Sequence, residues 1–88
     1  MAIKVTPEEL KSMAQKLNGY ASETTALAGK IKAAVSQALS TWEGKSQKDY
    51  EARFKEIDPI ISKTLPDLIA SMAAEAERKA EKFLQADQ

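Results

Sequence analysis

The sequence predicts an all-α fold: two long amphipathic helices turned back on each other as an antiparallel hairpin. Three observations carry this reading. Apolar residues advance in alternating steps of three and four along two stretches, a helix-entry signal opens the first stretch, and a Trp-x-Gly triplet separates them.

The first stretch begins at "VTPEEL". Thr6 is placed to cap, Pro7 sits where its missing N–H costs nothing, and Glu9 completes a Thr-x-x-Glu capping box. From there Leu10, Met13, Leu17, Tyr20, Thr24, Leu27, Ile31, Ala34 and Ala38 form one apolar row. A second row, Ala14, Ala21, Ala28, Val35 and Trp42, repeats every seven residues beside it, so the stripe is wider than a two-stranded seam needs. Lys11, Gln15, Lys16, Asn18, Glu23, Lys30, Lys32 and Gln37 fall mainly on the solvated side. Gly19 and Gly29 interrupt the pattern outside the stripe, each at about 1 kcal/mol relative to Ala. Helix one is expected over residues 7–41, with Trp42 continuing the row of Ala28 and Val35 where the turn begins.

Gly44 can take positive φ and is expected to end that helix. Ser46 with Asp49 three residues on is a weaker capping signature for helix two, expected over residues 46–84 after a turn at 42–44. Its apolar row is Tyr50, Phe54, Ile57, Ile61, Leu65, Leu68, Met72, Ala76, Ala80 and Phe83. Pro59 and Pro66 each remove a helical hydrogen bond. Their spacing places both away from the core, where a bend is tolerated, and a bent continuous helix is expected over two separate pieces. The whole chain, 1–88, reads as a single domain.

Composition narrows the function. With 88 residues there is room for one core at most, and chains this short lean on disulfides, metals or association. The chain has no Cys and no His, which removes disulfides, thiolate or imidazole metal sites and Cys or His nucleophiles. Association is the remaining support. The 13 basic and 13 acidic residues give no excess field for nucleic acid, and the mixed charges argue against membrane-surface binding. No stretch approaches the ~18 apolar residues of a membrane span, and the N-terminus lacks the apolar region of a secretory signal peptide. No nucleophile stands with a base, so no enzyme, catalytic residue, cofactor or metal is expected.

Two helices of this length would each run about 50 Å. Packed only on each other, they would leave a long apolar strip in water. A second hairpin would cover it, giving a four-helix bundle of two chains. The residues expected in core or dimer packing are Leu10, Met13, Leu17, Tyr20, Leu27, Ile31, Val35, Phe54, Ile57, Ile61, Leu68 and Met72. Trp42 is expected to pack across the bend beside Gly44; left partly exposed at a bundle end, it would suit binding.

The length, the two amphipathic stretches and the central Trp42-Glu43-Gly44 resemble the WXG100 family of small ESAT-like proteins exported by bacterial type VII secretion systems. "MAIKVTPEEL", Phe54 and the proline of "FKEIDPII" are similar to the pattern of many members from Gram-positive bacteria. The resemblance implies a hairpin that dimerises head to tail, as a homodimer or with a related WXG100 protein, synthesised in the cytoplasm and exported folded without a cleaved signal peptide. Members serve as secreted substrates, as partners or chaperones for co-secretion, or as components the machine needs. The family's C-terminal export signal, Tyr-x-x-x-Asp or Glu, is matched by Phe83 and Asp87, which a secretion ATPase would read. Phe83 lacks the tyrosine hydroxyl, so Phe83 as the last core residue is the competing reading. The alternative function is a helical adaptor docking on the N-terminal helical domain of a larger secreted toxin or effector.

Overall fold

Thr6 starts the first helix as its composition requires: extended backbone at φ −98°, with Oγ1 accepting from the Glu9 N–H at 3.1 Å. Pro7 is the first helical residue, and Glu8 and Glu9 place negative charge on the positive end of the helix dipole. The computed structural model describes residues 5–86. They form helix α1 (Pro7–Leu39), helix α2 (Lys45–Pro59), a five-residue π-helical turn (Ile60–Thr64) and helix α3 (Leu65–Ala86). The chain is a rod of 66 × 20 × 16 Å with a radius of gyration of 19.6 Å, where a globular chain of this length would have about 12 Å.

α1 ends earlier than periodicity alone suggests. Ser40 Oγ donates to the Gln37 carbonyl at 2.7 Å and Thr41 Oγ1 to that of Ala38 at 3.4 Å. These short polar side chains offer the last carbonyls local partners and close the helix. Trp42 therefore sits in the connection, as the expected turn at 42–44 has it, but three residues past the end of α1. Gly44 does take positive φ, at 107°, but as the N-cap of α2 rather than the stop of α1. The expected Ser46–Asp49 cap is not made; the Asp49 carboxylate meets Lys45 Nζ at 3.3 Å instead.

The second half continues through its prolines without separating into pieces. Pro59, Ile60 and Leu65 keep right-handed helical angles, and the Leu65 N–H reaches back five residues to the Ile60 carbonyl. Pro66 explains the widening. In a regular helix its ring would crowd the carbonyl four residues back, and one wider turn relieves that. The residues turned toward α1 show the effect: Phe54, Asp58 and Ile61 are followed by Pro66, a step of five, and then by Ile69, Ala73, Ala76 and Ala80 in steps of three and four. Pro59 is exposed as expected, whereas Pro66 is buried against the hairpin, because the extra residue turns it inward.

Helix α1 packs mainly along α3 and only lightly on α2. The buried core is built of alanines: Ala14, Ala28, Ala73, Ala76 and Ala80, with Leu17 packed against it. Small residues let the backbones approach closely near the termini, while Val35, Leu39 and Phe54, all half-buried, hold the turn end wider. Among the described residues two ion pairs cross the hairpin, Lys11–Glu81 at 3.5 Å and Lys32–Asp58 at 4.0 Å. Ser62 Oγ donates to Asp58 Oδ1 at 2.9 Å, so the half-buried Asp58 is held from both helices.

The glycines test this geometry. A Cβ added at Gly19 or Gly29 meets nothing within 4 Å, so Gly→Ala at either position is expected to raise stability by about 0.5–1 kcal/mol. Gly44, with φ 107° and ψ −171°, lies in a region essentially closed to L-residues. Gly44→Ala is expected to cost about 1–3 kcal/mol, and urea unfolding of the three variants checks both signs.

Candidate functional site

The seam between the helices takes only one edge of each apolar stripe. On α1 the alanine row faces α3, and the row of larger residues lies beside it. Met13, Tyr20, Leu27 and Ile31 are exposed, while Leu10 and Leu17 are half-buried. On the second half Ile57, Ile60, Leu65, Leu68, Met72 and Phe83 are exposed. The two rows meet on one side of the hairpin: Leu10 and Met13 from α1 line a shallow apolar groove with Leu68, Met72 and Ala76 from α3. Leu68 is 59% exposed, an unusual state for a leucine at a regular apolar spacing.

Of the residues expected to pack, Leu10, Leu17, Val35, Phe54 and Ile61 are half-buried within the hairpin. Met13, Tyr20, Leu27, Ile31, Ile57, Leu68 and Met72 are not part of its core, because alanines fill the closest approach and displace larger side chains to the outer edge. The accessible surface is 6842 Å², about 1,700 Å² above what a folded monomer of 9.6 kDa typically shows. Among the described residues the exposed rows thus form an apolar strip, the kind of surface that small chains typically cover by association.

The turn forms a second feature. Trp42 is 39% exposed, with its ring 5.6 Å from that of Tyr50 and tilted by 45°, a favourable arrangement for two aromatic quadrupoles. Tyr50 stands on the first turns of α2, which Gly44 aims back along α1. Sequence periodicity placed Tyr50 in the apolar row; the pairing with Trp42 depends on where α1 stops and was not visible in it. Phe83, 40% exposed, lies near the opposite end of the rod. Asp87 lies outside the described residues, so its relation to Phe83 is not specified.

The Glu75, Arg78 and Lys79 cluster on α3 is solvent-exposed. Arg78 donates to the Glu75 carboxylate and, with its charge and Lys79 beside it, holds that carboxyl below the usual range. The folded state thereby favours the ionised form, a contribution present at neutral pH and lost as acid titrates the group. Glu75 is exposed, so solvent screens the effect. Among the described residues no group of His, Cys, Asp or Glu is arranged to hold a metal ion, and no helix is long and apolar enough to cross a membrane.

A family model for proteins of 100 residues with a WXG motif matches residues 2–88. The chain belongs to the WXG100 family. Protein YukE of Bacillus subtilis (strain 168) is 27% identical over 86 residues, covering 98% of this chain and 88% of YukE. An ESAT-6-like protein, SAG1039 of Streptococcus agalactiae, is 33% identical over 60 residues, covering 68% of this chain and 62% of that relative. The structure of EsxA from Geobacillus thermodenitrificans superposes with a TM-score of 0.81 at 24% identity, covering 99% of this chain and 94% of that one. The WXG triplet of this member is Trp42-Glu43-Gly44, and the EsxA likeness establishes the shared helical-hairpin fold.

Proposed function

We propose that this WXG100 protein is a non-enzymatic, dimeric protein exported by a bacterial type VII secretion system, as a secreted substrate or as the partner of a co-secreted chain. The observation that carries the reading is the family match across residues 2–88. The exposed strip supports it physically: two hairpins laid head to tail would bury the outer rows and yield a four-helix bundle. In that bundle the turn of one chain lies toward the same end as the C-terminus of the other. Trp42 with Tyr50 on one chain, and the partner's Phe83 and Asp87, would then be the groups available to the secretion ATPase.

Export is the test. The protein is expected in the culture medium of a host with an intact type VII machine and absent when its ATPase gene is deleted. Trp42→Ala is expected to lower the exported fraction several-fold while the dimer persists, because it removes an exposed aromatic anchor worth about 2 kcal/mol or more in a typical hot spot. Secretion unchanged by loss of the ATPase would refute the reading. Unchanged export of the Trp42→Ala variant would reduce the tryptophan to a plug at the bend.

A further inference from the structure

The charges beside the exposed strip follow a pattern that the hairpin itself does not use. Glu9, Lys16, Glu23 and Lys30 recur every seven residues on α1, on the edge of the strip opposite the alanine row that faces α3. All four are exposed, and among the described residues none takes part in an intrachain ion pair, unlike Lys11 and Lys32 on the other side. Their signs alternate. In a heptad frame with Leu10 and Leu17 at position a and Met13 and Tyr20 at d, these four occupy g, the position whose charges set partner and orientation between packed helices.

From this row, and given that the strip is an interface as proposed above, we infer that α1 packs antiparallel against α1 of a second copy of this chain, in one register. In that register Lys16 meets the partner's Glu23 and Glu9 meets the partner's Lys30. Twofold symmetry repeats both, giving four opposite-charge pairs. A slip of one heptad in one direction sets Glu23 against the partner's Glu23 and Lys16 against the partner's Lys30. A slip in the other sets Lys16 against the partner's Lys16 and Glu9 against the partner's Glu23. Only one of the three neighbouring registers has no like-charge contact.

The apolar row is compatible with the same register, and the charge row is what chooses it. It places Leu17 across from the partner's Tyr20, Leu10 from the partner's Leu27 and Met13 from the partner's Thr24, so the large side chains lie in the overlap. Beyond Ile31 the row contains only Ala34 and Ala38, which have little area to bury. The stagger leaves each turn, with Trp42 and Tyr50, projecting past the start of the partner's α1.

Charge reversal tests the register on the full-length chain. Neither Lys16 nor Glu23 has a charged residue three or four positions away, so reversal leaves the helix's own ion pairs intact. By sedimentation equilibrium in low salt, Lys16→Glu and Glu23→Lys are each expected to weaken self-association roughly ten- to thirtyfold, since each turns two attractive contacts repulsive. Mixed in equal amounts, the two variants are expected to form a heterodimer within about threefold of the wild-type affinity, and the differences should shrink in about 1 M salt. A wild-type dimer indifferent to either reversal, or a mixture no tighter than the single variants, would overturn the register and leave the interface reading standing. A wild-type chain that pairs only with a different WXG100 protein would overturn self-pairing. Failure of the interface reading has its own sign: association that survives a charge placed in the strip at Leu68.

Discussion

Replacing Leu68 by Asp is expected to convert the protein to a monomer at micromolar concentration. Among the described residues Leu68 is the most exposed large apolar one, so its side chain contributes little to the isolated fold. In the bundle it would be covered. Burying a leucine is worth about 1.5–3 kcal/mol, and twofold symmetry counts the loss twice, so a Kd rise of about a hundredfold or more follows. The introduced carboxylate adds the cost of desolvating a charge without a partner. Asn18→Asp on the solvated side is the control for helix propensity, and its mass in solution should not change. Size-exclusion chromatography with light scattering reads both variants.

Replacing Ala80 by Leu is expected to act on the fold itself. Ala80 is 0% exposed in the seam against α1, and its methyl group allows the backbones their close approach. Three further carbon atoms have no space there. Overpacking of this kind typically costs about 1–3 kcal/mol, a large share for so small a domain, and the helices should separate at the terminal end first. Ala33→Leu, on the exposed side of α1, should stay within about 0.5 kcal/mol of wild type. Thermal unfolding followed by circular dichroism separates the two. The contrast with Leu68 matters: one substitution should remove association while sparing the helices, and the other should weaken the helices' own packing.

The fold class and the surplus of apolar helix surface were legible because they rest on periodicity and area. Thr6, Pro7 and Glu9 announced the first helix, and the spacing of Leu10 through Ile31 showed a stripe too wide for one neighbour. Which edge of the stripe faces inward was not legible. Both edges have the same period, and only close packing of two backbones selects Ala14 and Ala28 over Met13 and Leu27. The π turn escaped for a related reason. Pro66 signals a disturbed helix, but a bend outward and a widened turn relieve the same clash, and only the second brings Pro66 inside. At the connection, Gly44 suits a helix stop and a helix start equally by composition. Ser40 and Thr41 decided the matter by closing α1 first, and so left Trp42 free to meet Tyr50.

The central claim is that one hairpin leaves uncovered a side of apolar helix that a second hairpin must cover. Its most direct measurement is the molar mass of the folded protein across a wide concentration range, alone and with a related WXG100 chain. The account predicts an assembly of two hairpins, twice the 9.6 kDa of one chain in the self-paired case, dissociating only on dilution and with loss of helix stability. A fully helical, cooperatively unfolding species of 9.6 kDa at every concentration and with every candidate partner would contradict it.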